Sequence, residues 1–206
     1  SELNANISGG CDLIEFYVLA DGNLEGISVF ERTSKIKTFG DVDVLTGDVI
    51  VLHLDSDDVN CADAGATDET LGTDENTAAS DYATAWDAYT TDSGLTSTDN
   101  VLRIETSFGV IQDAVFLTDD ATGSAASGTE NAAALVADAS QWTVESGDPP
   151  LSYIDDDFNA NAVVGLKDTG TDASGQSLQR NGSLVDTDTK ADWFLLGSNF
   201  GLVNED

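Results

Sequence analysis

Methionine is absent from the chain, histidine occurs once, and Lys and Arg together number 7 against 39 Asp and Glu. Each shortage excludes something. At a formal charge of -32 the surface cannot supply the cations that replace counterions along a phosphate backbone, which rules out a nucleic-acid partner. The one histidine, His53, sits inside the apolar run VIVLHL and is expected to be a satisfied core or edge side chain rather than a catalytic base. No HExxH, GxSxG or phosphate-cradling glycine loop occurs, and carboxylate pairs are too common here to single out glycoside chemistry. The chain is therefore expected not to be an enzyme. No apolar run approaches the ~18 residues of a membrane-spanning helix. Lacking Met even at position 1, the opening SELNANISGG reads as a mature N-terminus left by signal-peptide removal, or equally as a trimmed chain.

What is present is a chain of 206 residues, 40% hydrophobic, enough for a real core in one domain. Asp outnumbers Glu 29 to 10, and Asp favours turns, caps and oxygen-rich cation sites. Such charge repels itself, so the folded state is expected to need screening by salt or divalent cations, as a saline extracellular setting provides. The pair Cys11 and Cys61 fits one disulfide in an oxidising compartment, with two buried thiols as the alternative.

Short β-rich runs recur between turn signals: DLIEFYVLA, GISVFER, DVIVLHL, NVLRIET, GVIQDAVFL, NAVVGL, QSLQR and DWFLL. In the first, Ile14, Phe16 and Val18 alternate with Glu15 and Tyr17, as in a half-buried strand. The nearly continuous DVIVLHL reads as a central strand. Seven or eight such runs without a βαβ rhythm predict an all-β sandwich. Two insertions, at about 55–98 and 118–162, interrupt it. In the first, Tyr82, Ala85, Trp86 and Tyr89 stand at helical spacing; in the second, Thr129 could cap a short Ala-rich helix.

The order of motifs resembles the lamin-tail domain, an immunoglobulin-like β-sandwich also found in secreted bacterial proteins. Asp12 to Val18 stands where that family has its early strand, and Leu24, Glu25, Gly26 and Ile27 where it has a turn, without the family's aromatic residue. Leu45 to Val49 matches a strand entry, and Gly109 to Asp113 a hairpin. The closing pattern is carried by Ser177 to Arg180, then Asp192 and Trp193, then Gly201 to Asn204, with Phe200 in place of the usual proline. The resemblance implies an immunoglobulin-like fold over residues 1–206 and an extracellular role, and it implies no activity. It places Trp193 as a plug between the sheets and Arg180 in a pair with a carboxylate at the sandwich edge; both are structural.

For ligands, Asp55, Asp57 and Asp58, and again Asp155, Asp156 and Asp157, concentrate hard oxygen donors that could bind Ca2+, or simply form solvated acidic loops. Asn6-Ile7-Ser8 and Asn181-Gly182-Ser183 permit glycosylation in a secretory setting. The leading functional expectation is an extracellular structural protein that forms a homo-oligomer or homopolymer, with SELNANISGG offered as an edge strand to a neighbour or else paired within its own sandwich. The other is a module holding polysaccharide or a cell surface through Tyr82, Trp86, Tyr89 and Trp142, which could equally be core.

Overall fold

The computed structural model describes residues 1–5, 7, 11–75, 77–96, 100–117, 127–141, 176–180, 182–183, 185–188 and 192–204. The predicted strand NAVVGL and most of the second insertion lie outside them. Twelve strands and one helix are described. In order they are β1 (Glu2–Asn4), β2 (Leu13–Tyr17), β3 (Gly22–Asn23), β4 (Ser28–Glu31), β5 (Ser34–Thr38) and β6 (Asp43–Val44), then β7 (Val49–His53) and β8 (Trp86–Tyr89). They continue with β9 (Asn100–Glu105), β10 (Ile111–Leu117), α1 (Ser127–Asp138), β11 (Gln176–Arg180) and β12 (Trp193–Gly197).

These strands form the all-β sandwich expected from the sequence. One sheet has the order β12-β11-β1-β2-β7-β8 and the other β10-β9-β4-β5, with β3 and β6 as a small separate pair. Period-two alternation explains why the layers face one another. Ile14, Ile50, Leu52 and Leu178 from the first sheet meet Val29, Leu102, Val115 and Leu117 from the second in one core. Strand β7 is buried throughout because both of its faces are covered: Val49 and Val51 point away from that core into a second cluster with Ala85 and Phe200. On the far side of the other sheet, Ala132, Ala133 and Val136 of α1 pack on Val101 and Phe116.

Two expectations are corrected. Trp86–Tyr89 is not helical; it is β8, laid parallel to β7 with Ile50 opposite Trp86 and His53 opposite Tyr89. Trp86 and Ala88 turn to the core while Asp87 and Tyr89 turn outward, so a period of two fitted the same residues that had suggested a helical face. The helix of the second insertion does exist, but it starts at Ser127 and encloses Thr129, fully buried, in its first turn. Among the described residues no helix is long and apolar enough to cross a membrane.

Candidate functional site

The densest polar chemistry lies on the outer face of β7 and β8. His53 leaves the end of β7 on that face and reaches diagonally to Asp87 of the neighbouring strand, the two meeting at Nε2–Oδ1 2.7 Å. The other ring nitrogen faces Asp63 Oδ2 at 3.9 Å, beyond hydrogen-bond range. The imidazole stacks on Tyr89 with centroids 4.7 Å apart and leans against Tyr82. Asp87 Oδ2 accepts the Tyr82 amide at 2.8 Å, and the Asp87 amide donates to Glu69 Oε2 at 2.8 Å. Ser80 donates its hydroxyl to Asp63, and Tyr89 donates its own to Asp81. Residues of the first insertion thus lock down onto the sheet.

Burial sets the electrostatics of this cluster. It pushes the Asp87 carboxyl above its ordinary range, against the opposing hydrogen bond from His53. Glu69 is raised for the same reason, and the Tyr82 phenol is pushed up to about 12 by burial and by the Asp87 charge. A His–Asp pair is half of a nucleophilic triad. Here Ser80 donates its hydroxyl to Asp63, and His53, Asp63, Asp87 and Glu69 are at most 3% exposed. These buried groups satisfy one another as a polar clamp does.

A covalent clamp sits beside it. Cys11, just before β2, is bonded to Cys61 of the same insertion, as the sequence predicts. Next to Cys11, Asp12 accepts the Ile7 amide at 2.8 Å and the Leu95 amide at 2.6 Å. Burial still raises its carboxyl to about 7.

The acidic loop makes its own local hydrogen bonds. Asp55 takes a positive φ of 56°, and its amide donates to Asp92 O; Asp58 Oδ1 accepts from both the backbone and the side chain of Asn60. Asp57 is exposed. Among the described residues, no three His, Cys, Asp or Glu side chains converge as a metal centre requires. Asp155, Asp156 and Asp157 lie outside those residues, as does Trp142. Nor do the other aromatic residues make an open strip: Tyr89 is buried, Tyr82 packs on Phe200, and half-buried Trp86 donates Nε1 to Asp48 at 3.2 Å.

At the opposite end of the six-stranded sheet the closing motifs converge. Arg180 pairs with Asp113 at 2.7 Å and with Asp186 at 2.8 Å, while its guanidinium lies 4.9 Å over the Trp193 ring. The carboxylate pairing expected for Arg180 is present twice. Trp193 packs on the main core but is half-buried, so it caps the sandwich edge rather than plugging its centre. The gap beside it encloses about 50 Å³, room for little more than a water or two. The Gly-x-x-Asn ending is structural. Gly201 has φ +80°, and a Cβ there would lie 2.8 Å from Tyr82 Cβ. Asn204 Nδ2 donates to Ser1 O and Arg180 O.

The N-terminal segment is likewise not a free strand for a neighbour. Glu2–Asn4 pairs with both β2 and β11 inside the sheet, which decides between the two alternatives in favour of internal pairing. Its carboxylate is held by Ser177, Ser198 and the Asn199 amide. Glu15, expected on a wet face, is 1% exposed because the C-terminal tail covers it and donates the Gly201 amide to it at 2.8 Å.

One feature escaped the sequence reading altogether. On β12 and in the tail, Phe194, Leu196, Leu202 and Val203 are 44%, 40%, 53% and 44% exposed. Leu196, Leu202 and Val203 line a surface groove with Gln179, Gly197 and Asn199. The signal was available: residues 193–204 form the longest stretch of the chain without a charged side chain.

A family model described as "protein second domain" matches residues 1–195 of the chain. No curated protein matches it.

Proposed function

Because the chain belongs to the family described as protein second domain, we propose that it is a non-catalytic extracellular structural module, one part of a longer architecture, that associates with copies of itself. The observation that carries this reading is a reversal of the usual polar and apolar distribution. The best-assembled polar groups, around His53, are sealed under the first insertion, whereas apolar side chains are presented to solvent at β12 and the tail. Binding energy is therefore available at a surface rather than in a pocket.

The Cys11–Cys61 disulfide supports an oxidising, extracellular location. So does the motif order that resembles the lamin-tail domain. The family description, a second domain, supports a module rather than a self-contained enzyme. Calcium at Asp55, Asp57 and Asp58 is not part of the proposal, since Asp58 accepts from Asn60 and Asp57 is exposed. Glycan binding through Tyr82, Trp86 and Tyr89 is not part of it either, since those rings face inward.

Electron microscopy and sedimentation across a range of salt and protein concentration test the reading. Concentration-dependent oligomers or ordered polymers, favoured as salt screens the -32 charge, are expected. A monodisperse monomer at high concentration and high salt would overturn it.

A further inference from the structure

The outer face of the six-stranded sheet buries a second acidic pair besides the cluster at His53. Glu2 of β1 and Glu15 of β2 stand directly opposite each other in the antiparallel register. Leu3 and Ile14 belong to the core between the sheets, so alternation turns both carboxylates to the outer face. Like charges in directly opposed positions destabilise a strand pair. Both side chains are nonetheless 1% exposed, under a C-terminal tail whose Asn199 and Gly201 amides reach down to them.

The hydrogen bonds around the pair are uneven. Glu2 Oε1 accepts from Ser177 Oγ at 2.5 Å, from Ser198 Oγ at 3.1 Å and from the Asn199 amide at 3.1 Å. Its other oxygen, Oε2, is buried without a partner, and so is Oδ1 of Asn199, the residue whose amide holds the same carboxylate. Glu15 Oε1 and Oε2 each take one donor, Ser1 Oγ at 2.6 Å and the Gly201 amide at 2.8 Å, which leaves each a second lone pair. Positive charge is directed elsewhere. The Ser1 nitrogen donates to the Glu15 main-chain carbonyl, and Arg180 is taken by Asp113 and Asp186. Among the described residues, no Lys or Arg side chain bonds to either carboxylate.

We infer that Glu2, Glu15 and Asn199 hold a divalent cation of the calcium type, which pins the C-terminal tail to β1 and β2. The donor set is the hard one such an ion takes, two carboxylates and an amide oxygen, with carbonyls and waters to complete a flexible shell. A water would fill both orphaned acceptors but leave two buried negative charges opposite each other, whereas the ion answers the acceptors and the charge together. Magnesium, which keeps its waters and demands a strict octahedron, suits a covered site of this kind less well. Gln179, opposite Glu2 on β11, and Asn199 both line the surface groove beside the tail, which gives the ion its way in. The inference does not depend on self-association and stands with or without it.

The competing occupant is a proton, since burial favours the neutral form of both carboxyls. Calorimetric titration of the full chain with CaCl2, after chelator treatment and at about pH 8 to weaken that competition, tests the assignment. Binding of calcium is expected, together with a melting temperature raised above that in NaCl of matched ionic strength. Glu2→Gln removes the charge and keeps the shape, and Asn199→Ala removes the amide oxygen while sparing the main-chain bond to Glu2. Each is expected to weaken calcium binding by about tenfold or more, with unchanged far-UV circular dichroism. Asp58→Asn, in the acidic loop, should leave it unaltered. If Glu2→Gln fails to fold, Asn199→Ala decides alone. Calcium binding that the folded variants leave undiminished would place the ion elsewhere and overturn the inference. Equal melting temperatures in calcium and matched sodium, with no heat of binding, would leave the pair to protons or water and overturn it as well.

Discussion

The two ends of the six-stranded sheet share one outer face and treat it in opposite ways. Over β7 and β8, Val51 is fully buried, and a histidine and three carboxylates are nearly so. Over β11 and β12, Leu196 and Phe194 stand 40% and 44% exposed. β8 runs parallel to its neighbour and β12 antiparallel, but what sets the exposure is the cover. Asp63, Glu69, Tyr82, Ala85 and Phe200 lie on the first end, and polar groups are tolerated there because each finds a partner. The second end has no such cover among the described residues, and its apolar side chains are exposed. The comparison separates a region built for stability from one available for contact.

The strongest way to break it is to release the cover. Replacing both Cys11 and Cys61 with Ser opens a loop of sequence separation 50, which on the chain-entropy model costs about 4 kcal/mol. Urea unfolding checks this. A loss under about 1 kcal/mol would mean that the polar clamp alone holds the insertion. Asp87→Ala attacks that clamp, leaving His53 Nε2 and the Tyr82 amide without their acceptor, and is expected to cost about 3 kcal/mol. The control Asp58→Ala, whose partner Asn60 is exposed, should stay within about 0.5 kcal/mol.

The covered end was only half legible in the sequence. DVIVLHL announced a strand buried on both faces, and Cys11 with Cys61 announced the staple, because apolar continuity and cysteine pairing are local signals. The clamp was not, because Asp63, Glu69 and Asp87 are three among 29 Asp and 10 Glu and only the fold brings them to His53. Trp86 to Tyr89 misled because short runs satisfy both periods at once. At the open end, Arg180 and Trp193 were legible as motif residues. Their neighbours Phe194 and Leu196 read simply as strand residues, since exposure at an edge depends on what the rest of the chain leaves uncovered.

A smaller effect comes from pH. Burial raises Asp12 and Glu15 to about 7, whereas unfolded carboxylates titrate near about 4. Between those values the folded state holds more protons than the unfolded state, so the contribution to stability is complete below about pH 4 and is lost as pH rises through about 7. A decline in stability across that window is expected, shared between the two carboxyls. Repulsion within the acidic surface acts in the same direction but is screened by salt, so the measurement belongs at about 2 M KCl. Glu15→Gln should remove about half of the decline. An unchanged profile would mean that Glu15 contributes nothing to the pH response.

The smallest expected change sharpens the comparison most. Val51→Ala and Leu196→Ala delete side chains from the same face of the same sheet. The first leaves a void against Ala85 and Phe200 and should cost about 2 kcal/mol. The second removes an apolar side chain that solvent already reaches, and the unfolding free energy of the monomer should move by less than about 0.5 kcal/mol. Denaturant titrations at low protein concentration give both values with association held off. If Leu196→Ala destabilised the monomer as much as Val51→Ala, Leu196 would be packed within its own chain, and the open end of the sheet would be a second covered one.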